Sequence, residues 1–328
     1  MLVELGWDEA WADALSRIPG STALAPARVT AVHRGRVRVV GEGLDELVPV
    51  AGSLESAPAV GDWVSFDGQR VSEILPRRSE LARADSVLAA NVDLGMVVVS
   101  FRENMNLRRL ERFVALIKAG GIESVVVLTK EDLSTDPDGE SDRVRNEIGA
   151  EVLVVSAQTG SGMNAVRARL RPRSTTVLMG MSGVGKSTLL NELLGEARQR
   201  TLPVRARDGA GRHATVHREL FALSSGALVI DSPGVRLPAL ATAAGVRETF
   251  SDVEQLAREC RFADCRHGNE PGCAVRGVVS DERLGSMRKL EREGRDAAGR
   301  RPRQRDGRRG PSAPGTSRRR GGGDASYE

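Results

Sequence analysis

The chain has 328 residues, enough for two or three domains and at least one large core, with the 40% hydrophobic and 28% charged content of a globular protein. No run of about 18 apolar residues occurs, which excludes a membrane-spanning helix. The acidic start MLVELGWDEAWADAL lacks the basic flank and apolar centre of a signal peptide, so no membrane role and a cytoplasmic location are expected.

The net charge of +4 is unevenly placed: from Arg295 to Glu328 ten arginines face four acidic residues, leaving about −2 on the rest. This tail, residues 294–328, has almost no aliphatic side chains and is expected to be disordered. Its arginines could grip nucleic-acid phosphates or simply keep the chain solvated. Lysine is scarce, with four against 44 arginines, and two of the four, Lys130 and Lys186, fall inside motifs.

Residues 1–24 form an extension with a short helix over 7–18, in which Trp7 and Trp11 stand four apart. Residues 25–80 turn to short alternating strands. ARVTAVHRGRVRVV reads as a hairpin turning near Arg34-Gly35, and DELVPV, DWVSFD and QRVSEIL follow it. Five such strands in about 50 residues predict a small β-barrel of the OB-fold type. Arg28, Arg34, Arg36 and Arg38 either meet phosphate or occupy the wet face of these strands.

From Asn91 the pattern becomes strand–helix alternation. VDLGMVVVS, ESVVVLT, AEVLVVSA, STTVLMG, RELFAL and GALVIDSPG are predicted strands. LRRLERFVALIKAGG, a stretch around SDRVRNEIG, and STLLNELLG are predicted helices. Apolar strands alternating with helices predict an α/β domain over 85–240, with a mostly parallel sheet covered on both faces.

Within it, Gly180-Met181-Ser182-Gly183-Val184-Gly185-Lys186-Ser187-Thr188 sits between a strand and a helix, the setting of a phosphate-binding loop. Its backbone N–H groups would wrap the β-phosphate, Lys186 would reach the β- and γ-phosphates, and Ser187 would ligate Mg²⁺. Asp231-Ser-Pro-Gly234 follows an apolar strand 44 residues after Ser187; the acid can hold Mg²⁺ through water and Gly234 can offer its N–H to the γ-phosphate.

A guanine reader of the N-K-x-D type is missing downstream. Upstream, however, Thr129-Lys130-Glu131-Asp132 ends one buried strand, and Ser156-Ala157 ends the next. There Asp132 would accept from guanine N1 and N2, and the Ser156-Ala157 backbone would touch O6. Strands that usually close the domain thus come first, which makes it a circularly permuted P-loop GTPase domain.

After this domain, residues 245–293 hold every cysteine of the chain, as Cys260-x4-Cys265-x-His267-x5-Cys273. Three thiolates and one imidazole complete a tetrahedral set, so one closed, structural Zn²⁺ is expected to staple a small helical module. An odd cysteine count argues against disulfides.

The order TKED–SAQTG–GMSGVGKST–GRHATV–DSPG, preceded by a barrel containing VGDWV and followed by the cysteine cluster, resembles the ribosome small-subunit-dependent GTPase A family (RsgA/YjeQ) over roughly residues 25–290. The resemblance implies a GTP hydrolase acting late in maturation of the small ribosomal subunit. It implies GTP and GDP as ligands, Mg²⁺ with GTP, and ribosomal RNA contacts by the zinc module. A monomer is expected.

Two departures stand out. Thr129 replaces the usual Asn, keeping a hydroxyl but losing the amide's reach to the base and to the phosphate loop. The switch segment reads Gly211-Arg212-His213-Ala214-Thr215 where the family has G-R-H-T-T, leaving Thr215 to complete the Mg²⁺ shell. Val235 occupies the place where other GTPases carry a water-positioning Gln, and the resemblance makes His213 its replacement. Residue chemistry alone leaves open an ATP-using P-loop enzyme or an RNA-binding scaffold locked by nucleotide.

Overall fold

The computed structural model describes residues 1–83, 86–101, 105–195, 218–233 and 244–299. The first helix, α1 (Glu9–Ser16), starts where the Asp8 carboxylate accepts the Trp11 N–H at 3.2 Å and caps its open end. Five strands follow: β1 (Ala25–His33), β2 (Arg36–Gly41), β3 (Leu44–Pro49), β4 (Trp63–Phe66) and β5 (Val71–Ile74). β1 pairs with β2 along one edge and with β4 along the other, β2 pairs with β3, and β4 with β5. A bridge between Val50 and Val71 closes the ring in the order β1-β2-β3-β5-β4. Alternation drives this closure: Val37 and Val39 point inward to meet Val29, Val48, Val64 and Phe66, while Arg36 and Arg38 take the outer positions between them.

Arg28 departs from both readings given to the barrel arginines, whereas Arg34 and Arg36 are exposed and Arg38 is half-buried on the outer face of the strands. Arg28 is only 2% exposed. Its guanidinium donates to Gly61 O (2.8 Å), Leu5 O (2.6 Å), Asn91 O (3.3 Å) and Thr175 Oγ1 (3.0 Å), joining extension, barrel and sheet. Burial without a paired carboxylate lowers its pKa to about 10. Arg38 forms a two-pronged pair with Asp45, and Arg36 donates to Leu47 O. These are internal bonds of the fold.

A hairpin of β6 (Glu80–Arg83) and β7 (Ser86–Ala90) fills the interval between barrel and sheet, where the sequence reading placed no strand. The main sheet then uses β8 (Leu94–Ser100), β9 (Glu123–Thr129), β10 (Glu151–Val155), β11 (Thr175–Met179), β12 (Glu219–Ala222) and β13 (Leu228–Asp231). Their order is β10-β9-β8-β11-β13-β12, all parallel except β12. Connecting them are α2 (Leu107–Ala119), α3 (Pro137–Ile148), α4 (Met163–Arg169) and α5 (Lys186–Leu194).

Successive strand residues feed opposite cores. Val97 and Val126 pack with Phe113 and Val114 of α2; Met96, Val98, Val125 and Val127 pack with Val166 of α4 and Leu189 of α5. α3 begins earlier than its charged pattern suggested, because Asp136 caps it and Pro137 supplies a preset first turn. The seven-residue α4 was not predicted, its length being too short to show a period.

Three helices end the described chain: α6 (Ala244–Thr249), α7 (Ser251–Ala257) and α8 (Asp281–Gly299). α8 carries regular structure to Gly299, past residue 294, where disorder was expected to begin. No helix among the described residues is long and apolar enough to cross a membrane.

Candidate nucleotide site and metal centre

β11 delivers the phosphate loop to the middle of the sheet, between β8 and β13. The loop's glycines are required by backbone geometry. Gly180 has φ +148°, and a Cβ there would lie 2.3 Å from Val98 O; Gly183 and Gly185 hold φ +86° and +103°. α5 then begins at Lys186, with Leu189 N–H on Gly185 O at 2.8 Å. Its first turn exposes Ser187 and Thr188, and Ser182 and Gly183 are also exposed, whereas Val184 is buried against the sheet.

Lys186 is 6% exposed and folds over its own loop, donating to Gly180 O (3.0 Å) and Met181 O (2.8 Å). Burial lowers its pKa, and the Asp231 carboxylate opposes that shift. Asp231 ends β13 in register with Leu178, and Ser232 Oγ donates to Leu178 O at 2.5 Å, tying the two strand ends together.

The two upstream elements meet the loop from β9 and β10. Lys130 takes the left-handed conformation (φ +63°), and its Nζ donates to Gly183 O at 2.8 Å. A single 3₁₀ turn, Glu131–Leu133, follows and presents Asp132, whose Oδ1 accepts from Ser156 Oγ at 2.5 Å. Ser156 is buried and Ala157 half-buried just beyond β10, whose Val155 is in register with Thr129.

Thr129 departs from expectation. Its Oγ1 lies 2.5 Å from Val184 O and 3.1 Å from Val99 O, so the shorter side chain still reaches the phosphate loop. The hydroxyl has one proton and serves one carbonyl at a time. Sequence reasoning also missed the clamp of Lys130 on the loop, for which the scarcity of lysine was the available signal. His213, Thr215 and Gly234 lie outside the described residues.

The cysteine cluster assembles as expected. The ligand atoms of Cys260, Cys265, His267 and Cys273 all fall within 4.8 Å of one another. Cys260 Sγ and Cys273 Sγ are 3.9 Å apart, and His267 Nδ1 is 3.6 and 3.5 Å from them. Zinc bonds of about 2.3 Å to sulfur and 2.0–2.1 Å to nitrogen at tetrahedral angles place S···S near ~3.8 Å and S···N near ~3.6 Å. The donor set therefore fits one tetrahedral ion, bound through Nδ1. Ala274 N–H donates to Cys260 Sγ and Arg276 N–H to Cys273 Sγ, each at 3.4 Å, which orients the two sulfurs. Arg288 of α8 holds the loop by donating to Arg266 O (2.7 Å) and His267 O (2.9 Å).

The family model described as RsgA GTPase matches residues 74–241. A protein named small ribosomal subunit biogenesis GTPase RsgA from Opitutus terrae is 40% identical over 328 aligned residues, covering 89% of each chain. The chain belongs to the RsgA GTPase family. A Streptomyces coelicolor protein of the same name is 41% identical over 89% of this chain and 86% of its own.

Among solved structures, YloQ, described as a circularly permuted GTPase, superposes with a TM-score of 0.58 at 26% identity, over 86% of this chain and 97% of that one. YjeQ from Thermotoga maritima gives 0.59 at 24% identity, over 85% and 100%, and shares the fold. The permuted strand order of this RsgA-family chain is thus that of a known architecture, with the phosphate loop on β11 and the TKED strand before it.

Proposed function

We propose that the chain is a cytoplasmic GTP hydrolase acting in biogenesis of the small ribosomal subunit, the role that its relatives' names carry. The observation that supports this best is the joining of three sequence-distant motifs at one loop. Thr129 and Lys130 bond the phosphate loop at Val184 O and Gly183 O, while Asp132 and Ser156 bond each other beside it.

Asp132 then selects guanine and the Ser156-Ala157 backbone meets O6. Residues 180–188 hold the phosphates, with Lys186 leaving its loop carbonyls for phosphate oxygens. Ser187 and Thr215 would hold Mg²⁺ with support from Asp231, Gly234 would meet the γ-phosphate and His213 would orient the attacking water. The barrel and the metal module, to either side, contact ribosomal RNA.

Turnover of GTP and ATP, each with and without purified small ribosomal subunits, tests the reading. Slow GTP hydrolysis that rises sharply with subunits, without ATP use, is expected. Equal use of ATP, or indifference to subunits, would overturn it.

A further inference from the structure

Where α2 passes α8, the helices leave a cleft of about 200 Å³ lined by Asn106, Arg108, Arg109, Arg112, Ser286 and Lys289. Four of these side chains are cationic and none is acidic. Two are neutralised by carboxylates that do not line the cleft: Arg108 lies 3.1 Å from Glu282, and Arg112 pairs with Glu293 through both terminal nitrogens. Arg109 and Lys289 join neither pair. Arg109 Nε is buried without an acceptor among the described residues, so its desolvation is uncompensated by any bond shown.

With Arg108 and Arg112 paired, Arg109 and Lys289 leave the cleft lining with a net positive charge. Like charges held together raise the energy of the empty site and lower that of one holding an anion. A guanidinium fork and an ammonium together suit the tetrahedral oxygens of phosphate. The volume takes a phosphate group, whereas whole small molecules need roughly 300 Å³ or more.

We propose that the α2–α8 cleft binds a phosphate oxyanion, supplied by an RNA backbone or by a small phosphate. Arg109 also lines the apolar groove with Val98, Met181 and Val184, beside the nucleotide loop. Occupancy of the cleft therefore fixes the metal module's α8 against α2 and places the bound charge next to that loop. The inference rests on the proposed function only in naming RNA as one source; the site stands without it.

The test uses the full chain saturated with GDP, comparing wild type with Lys289→Gln and Arg109→Gln. One arm measures anisotropy of a fluorescein-labelled single-stranded RNA of roughly twelve nucleotides over a salt series. The other measures inorganic phosphate by calorimetry. In the RNA arm each variant should bind at least about threefold more weakly, with a salt slope flatter by about 0.7 per lost phosphate contact.

Weakening with RNA alone identifies the polymer as the source, and loss of phosphate binding alone identifies the small anion. Lys289→Arg should bind as wild type does. Wild-type affinities and an unchanged salt slope in both Gln variants would overturn the site. Lys289→Gln should keep GTP turnover measured without RNA. A chain without turnover would defeat the proposed function and leave this test readable.

Discussion

Thr129 illustrates how one side chain can be misjudged from its neighbours in sequence. As a replacement for Asn it loses an amide, but β9 places its hydroxyl 2.5 Å from Val184 O, where it bonds the phosphate loop directly. Val184 is buried, so its carbonyl has no ready substitute in water. Thr129→Val keeps the shape and removes the donor, at a cost of about 1–2 kcal/mol. We expect the melting temperature to fall by a few degrees, about what that cost implies, and guanine-nucleotide affinity to fall by at most about five- to thirtyfold, by that same estimate. Titration of labelled GDP measures this, and wild-type affinity would show that the bond does not order the loop.

At the scale of elements, α2 is a hub whose apolar face packs on the sheet while Glu111 faces α8. There the buried Glu111 meets Arg283 at 3.4 Å, and Arg283 is itself engaged by both oxygens of Asp252 at 2.9 and 3.0 Å. Burial pushes Glu111 up to about 7; Ser286 and Arg283 oppose the shift, and Glu147 adds to it. Between its ordinary value of 4.5 and about 7, the folded chain keeps a proton that the unfolded chain has released. Its contribution to stability is therefore full below about 4.5 and is lost as pH rises through 7. Glu111→Gln has no such proton, so its urea midpoint should gain on that of wild type between pH 5 and pH 8. A midpoint difference independent of pH would show that Glu111 titrates normally.

For the whole molecule, the C-terminal module combines a metal-ligand set with apolar burial, since Val253, Val275, Leu284 and Leu290 sit in the core cluster shared with α2. The loop from Cys260 to Cys273 is held by four ligands, with Phe262 left exposed. Metal binding is then folding energy for that module. A strong chelator should release one equivalent of zinc and unfold the module while the α/β sheet remains. Metal analysis with hydrogen exchange resolved along the chain checks this: protection should fall over 251–290 and persist in β8–β11. Equal loss of protection throughout would mean that the metal supports the entire fold.

Much of this was legible in the sequence, because the signals were local. Continuous apolar runs announced the parallel strands, the glycine-rich stretch between a strand and a helix announced the phosphate loop, and three cysteines with a histidine announced the metal set. The permuted order followed from motif order alone. What required the tertiary structure was long-range pairing. Arg28 looks like a surface cation on an alternating strand, and only the packing of three segments makes it a buried strut. Glu111, Arg112 and Arg283 find their partners only where α2 and α8 are laid together. Sequence period says which face of an element is apolar; what meets a charged side chain depends on the partner element, and the fold alone supplies that.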